Sequence, residues 1–188
     1  MEFLIEHLIS QYGLIIVYLG CALEGDTIAI SAGVLAHRGT FPVWPTVLTV
    51  AAGGWTTDLV TFHLARLFRD HPRVVKAVAS PMAQRLTSRF LARPYLLTAI
   101  FRFIPGARTV APVMIATATQ VRKRDYVLIT FVSALAWGAT MVFAGQAVGK
   151  LLWVIWGHIT RPEIVFALAG LVIAFSSVRA IWRYFKAR

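Results

Sequence analysis

The chain has 188 residues, of which 58% are hydrophobic and 14% charged, and its mean hydropathy is +0.70. A water-soluble domain of this length has too little interior to hide so much apolar side chain, so an integral membrane protein is expected. The net charge of +11 sits in segments between apolar stretches, as membrane topology places it, and no basic stripe on a soluble scaffold points to nucleic acid.

The first residues, Met1-Glu2-Phe3-Leu4-Ile5-Glu6-His7, carry no positive region of the kind that opens a cleaved signal peptide. The first apolar stretch, Leu14–Ala36, contains the only cysteine, Cys21, which excludes an intrachain disulfide and fits no lipidation motif. Glu24-Gly25-Asp26 interrupts the stretch near its middle. Crossing hydrocarbon takes about 20 helical residues, so Leu14–Leu23 and Thr27–Ala36 read as two half-helices forming a re-entrant hairpin. Val43–Leu67 follows and is long enough to cross, with Asp58 near its middle beside Thr56 and Thr57. Gly53-Gly54, just before, permits close helix approach.

Asp70–Arg93 differs in character. Val74, Val78, Met82, Leu86 and Phe90 recur every four positions while Arg73, Lys76, Arg85, Arg89 and Arg93 run alongside. This is a basic amphipathic helix, kinked or restarted at Pro81, which suits either an anionic membrane surface or packing on the protein. The second interrupted stretch, Tyr95–Ala118, breaks at Arg102-Phe103-Ile104-Pro105-Gly106-Ala107-Arg108 into half-helices Tyr95–Ile104 and Thr109–Ala118. Proline removes a backbone donor there and glycine frees the dihedrals. Asp125–Val148 and Glu163–Trp182 are further spans, and Trp44, Trp153, Trp156 and Trp182 fall at span ends as an aromatic belt requires.

If both hairpins return to their starting side, one side of the membrane holds seven Lys and Arg residues from Arg66 to Arg93, three in Arg122-Lys123-Arg124 and four from Arg179 to Arg188. The other side holds Arg38, Lys150 and Arg161, which places the N-terminus outside and the C-terminus in the cytoplasm. Treating each hairpin as a full span breaks this agreement. Asp26 to Arg108 and Trp55 to Trp137 are both separated by 82 positions, a faint internal repeat. Its copies enter from opposite sides, the inverted plan of many secondary transporters. The expected fold is an all-α polytopic membrane protein with two inverted re-entrant hairpins, each followed by a transmembrane helix. A single membrane domain, 1–188, then comprises repeat A (12–67), the amphipathic cytoplasmic helix (68–94), repeat B (95–150) and a C-terminal transmembrane helix (162–184).

Charges at membrane depth are costly, which makes the two breaks a candidate site. Arg102 and Arg108, beside the N-terminal amides of a half-helix, suit a phosphate or carboxylate; alternatively they pair with Glu24 and Asp26. Asp26 either caps the helix beginning at Thr27 or belongs to the site, and capping leaves Glu24 unexplained. Buried carboxylates of this kind can also carry protons. Asp58 either pairs with an arginine of the second hairpin or accepts hydrogen bonds from neighbouring helices. His7, His37, His63, His71 and His158 lack metal-ligand spacing, so neither a metal nor a cofactor is expected. Without a Gly-rich phosphate loop, nucleophile elbow or Ser/His pairing, an enzyme has little support.

Phe101-Arg102-Phe103-Ile104-Pro105-Gly106-Ala107-Arg108-Thr109-Val110-Ala111-Pro112 resembles the arginine motif of the DedA family, also called the SNARE-associated or VTT domain family; its R-F-x-P-x-x-R-x-x-x-P core matches Arg102 through Pro112. Leu23-Glu24-Gly25-Asp26-Thr27 with Ala32-Gly33 resembles the family's acidic first hairpin, and Gly54-Trp55-Thr56-Thr57-Asp58 its later G-x-x-x-D element. Between the acidic residues only Gly25 replaces the family's Pro-rich loop, and Ala116-Thr117 stands in place of its Ala-Gly pair. The resemblance implies two opposed re-entrant hairpins in the bacterial inner membrane, with movement of phospholipids or polyprenyl phosphates that depends on the proton motive force. Carried over by motif, it assigns the acidic pair to Glu24 and Asp26 and the arginine pair to Arg102 and Arg108.

The function expected is therefore a flippase-like or scramblase-like transporter of a phosphate-bearing lipid, with protons as a partner and a homo-oligomer compatible with the sequence. Two alternatives stand beside it: a proton-coupled exporter of small solutes or ions, and a non-transporting membrane scaffold using the Asp70–Arg93 helix.

Overall fold

A computed structural model describes residues 2–90, 93–104 and 106–156, and every regular element among them is helical. The expected C-terminal span, 162–184, and with it Arg161 and Trp182, lies outside the described residues, as do His158 and Pro105 of the second break.

Helix α1 (Glu2–Leu23) is longer than the half-helix expected from Leu14 onward, because helical backbone continues back through the less apolar start of the chain. At about 1.5 Å per residue its 22 residues reach about 33 Å, so α1 is not the half-length helix expected. Helix α2 (Asp26–His37) begins one residue earlier than expected. Gly25 precedes it at φ 82° and ψ −92°, a conformation that L side chains avoid. Asp26 is consequently the first helical residue rather than the cap, and no side chain caps the helix. Its carboxylate still lies in the first turn, where the helix dipole favours a negative charge. Helices α1 and α2 pack together, with Gly20 meeting Ile28.

Helix α3 (Val43–Leu67) is continuous over 25 residues. The basic segment then forms two short helices, α4 (Pro72–Val78) and α5 (Pro81–Phe90), so the chain restarts at Pro81 instead of bending through it. Proline is well placed at a first helical position, where its missing N–H would have had no partner. Ser80 Oγ accepts from Ala83 N at 3.2 Å and caps α5. The apolar face of α5 is spent on protein: Ala83 and Leu86 are buried in a cluster with Leu97, Phe101, Ala111 and Met114.

The second break is more finely divided than two half-helices. Helix α6 (Pro94–Ile100) runs into a 3₁₀ turn, Phe101–Phe103, and α7 (Ala107–Ala118) starts after Gly106 in left-handed conformation. Finally α8 (Lys123–Trp156) spans 34 residues. Its Lys123–Leu151 portion is the helix among the described residues long and apolar enough to cross a membrane. Leu128, Phe131, Val132, Phe143, Val148 and Leu151 are all exposed, as on a helix that faces lipid. Trp44, at the start of α3, is 68% exposed and packs edge-on against Phe143, consistent with an interfacial anchor.

The chain divides into two compact units. Among the described residues, one contains 2–46 and 141–156, with α1 and α2; the other lies within 47–140, with α4 to α7. Helices α3 and α8 contribute to both, so the units cut across the repeats 12–67 and 95–150.

Candidate functional site

The unit formed by residues 47–140 encloses a buried ion pair. Arg102 Nη2 lies 2.6 Å from Asp58 Oδ2, with both side chains almost wholly shielded (1% and 0% exposed). Each partner is placed by its element. Asp58 sits on α3, where Tyr126 of α8 donates to its carbonyl oxygen at 3.3 Å and stacks on Phe62, one turn along α3, at 3.8 Å. Arg102 sits in the 3₁₀ turn, anchored by the fully buried Phe101 before it. Ser133 of α8 donates to Ala99 O at 2.6 Å and ties α6 to the same helix.

The floor of the site is Trp137 on α8. The Arg102 guanidinium lies 5.2 Å from its ring centroid and the Arg108 guanidinium 5.4 Å, so two cations share one buried indole. Such contacts are worth about 2 kcal/mol each once desolvated. Gly54 on α3 completes the slot: a Cβ there would come within 2.9 Å of Arg102 Nη1 and 3.3 Å of Trp137 Cζ3. Beyond the Asp58–Arg102 contact, Asp58 Oδ1 and Arg102 Nε and Nη1 have no hydrogen-bond partner among the described residues.

Of the five sequence-predicted residues, three meet here: Asp58, Arg102 and Arg108. Between the two readings of Asp58, the structure selects the pairing with an arginine of the second break. Glu24, half-buried between α1 and α2, and Asp26, exposed as the first residue of α2, belong to the other unit. Trp137 was visible in the sequence only as the repeat partner of Trp55. Its placement well inside a span, away from the interfacial ends, was the available sign of a polar task. A cavity of about 580 Å³ lined by Met82, Leu86, Phe90, Ile100 and Ile104, with Arg85 and Ser88, contains none of the five residues.

A buried arginine and carboxylate with a half-buried second arginine on one aromatic floor, within helices whose apolar side chains face outward, define a helical membrane protein with an internal polar site. The chain matches the VTT domain over residues 23–147. It is also 31% identical over 153 residues, 77% of this chain and 75% of the relative, to inner membrane protein YohD of Escherichia coli (strain K12). The chain belongs to the VTT domain, or DedA, family of membrane proteins. No solved structure matches it.

Proposed function

We propose that this protein moves a phosphate-bearing lipid, such as a polyprenyl phosphate or a phospholipid, across the inner membrane. The observation that carries the proposal is the buried Arg102, whose Nε and Nη1 have no hydrogen-bond partner among the described residues, beside Arg108 on the Trp137 ring. Arginine forks match phosphate oxygens in pairs, and a water-poor setting strengthens each bond. The lipid's chain would stay in the bilayer while its head crosses a polar path. Glu24 and Asp26, in the break between α1 and α2, take protons or compete for the arginines, which couples movement to the proton gradient. The 12-residue lengths of α2 and α7 support two re-entrant hairpins, since each reaches about half a bilayer.

Purified protein in liposomes carrying labelled polyprenyl phosphate or phospholipid, with and without a pH gradient, tests the reading. Arg102→Lys keeps the charge but loses the fork, and transport is expected to fall by about tenfold or more. Transport unaffected by that change, yet abolished by charge removal at Arg85 and Arg89, would favour a scaffold instead.

A further inference from the structure

Asp58 occupies the anion position on Arg102. Its Oδ2 lies 2.6 Å from Nη2, where one oxygen of a phosphate would sit, while the remaining guanidinium donors lack well-aligned acceptors. A guanidinium offers five N–H donors in a planar fork, and a tetrahedral phosphate can engage two of them at once. A buried pair joined through Nη2 alone leaves Nε and Nη1 desolvated and unmatched, so an anion that engages more of the fork can displace the carboxylate. The guanidinium itself is fixed apart from Asp58: Trp137 lies beneath it at 5.2 Å, and Gly54 leaves a flank where even a methyl group would press on Nη1.

We infer that Asp58 is an internal stand-in for the substrate's phosphate, holding Arg102 between transport events and yielding it to the incoming anion, with Trp137 and Gly54 keeping the guanidinium in register during the exchange. This rests on the phosphate-lipid reading above and adds how the site lets go. A transport site must bind strongly enough to load and weakly enough to release. A carboxylate poised to retake the arginine lowers affinity without removing any contact to the substrate. Asp58 is thus a positioning residue acting through Arg102, and removing its charge tightens binding while slowing release.

The test uses full-length protein in detergent with two probes, farnesyl phosphate and inorganic phosphate. Binding is read by equilibrium dialysis and by ligand-induced thermal stabilisation. Asp58→Asn is expected to bind farnesyl phosphate about tenfold more tightly than the parent, with a larger ligand-induced rise in Tm, while lipid transport in liposomes falls. Asp58→Glu, which keeps a competing carboxylate, should bind close to the parent. Asp58→Ser decides the matter if the Asn variant does not fold, because it also removes the charge. A parent that binds farnesyl phosphate, loses it with Arg102→Lys and gains nothing from either neutral variant overturns the stand-in and leaves the phosphate-lipid reading intact. Tightening of inorganic phosphate alone supports the stand-in and sinks the lipid. Binding of neither probe to the parent removes both.

Discussion

A buried ion pair is a stability liability as much as a site, and the Asp58–Arg102 pair separates the two roles. Removing one partner strands the other charge in a water-poor interior, at a cost of about 3–5 kcal/mol. Arg102→Met alone and Asp58→Leu alone are therefore both expected to lower Tm sharply. The double variant removes both charges and should regain most of that stability, yet remain unable to transport. Melting in detergent beside liposome transport reads the two quantities independently. Trp137 gives a second residue-scale prediction. Trp137→Leu removes the ring beneath both guanidinium groups, and about 2 kcal/mol lost at the desolvated Arg102 contact is enough to reduce transport at least about tenfold. Trp44→Leu, at the exposed start of α3, should leave transport near the parent level. The arginines were legible in the sequence because charge and proline inside an apolar stretch are conspicuous. Trp137 was less legible, because a tryptophan inside a span is a weaker mark than a charge, and only coordinates show what lies on its ring.

At the scale of elements, the sequence was most informative where chemistry restricts the backbone. Pro81 announced the restart between α4 and α5, and Gly25 and Gly106 announced the two breaks. Boundaries were less legible, because extending a helix by a turn costs little when no residue forbids it; α1 therefore reaches back to Glu2. The partner of the amphipathic face was also undetermined, since lipid and protein both reward the same four-residue period. Burial of Ala83 and Leu86 against α7 settles that face in favour of protein. Close helix approach, by contrast, depends on pairs of small residues far apart in sequence. Gly33 of α2 and Gly145 of α8 meet so closely that a Cβ on Gly33 would lie 2.9 Å from Gly145 Cα and also overlap Val142 O. Backbone cannot move aside as a flexible side chain can. Gly145→Val is expected to destabilise by about 1–3 kcal/mol, read as a lower Tm and a lower yield of folded protein. The same substitution at Gly39, which has nothing within 4 Å, should cost only the strain of its left-handed backbone.

For the whole molecule, the distribution of Lys and Arg makes a topological statement that helix lengths alone do not. Fourteen of the 19 basic residues fall on one side only if the second interrupted stretch returns to the side it left. Under that arrangement the α4 region and the start of α8 face the cytoplasm together, while the loop after α2 faces outward. If the second stretch crossed completely, the starts of α4 and α8 would be separated by the membrane. Single cysteines introduced into a Cys21→Ala background discriminate the two arrangements, because the native thiol is buried and its removal clears the signal. Arg73→Cys and Lys123→Cys are expected to react with a membrane-impermeant maleimide from the cytoplasmic face, in inverted vesicles. Arg38→Cys is expected to react only in intact, right-side-out cells. Labelling of positions 73 and 123 from opposite faces would make the second stretch a full span and undo the inverted repeat. That result would also remove the half-bilayer helix ends on which the proposed path for the lipid head depends.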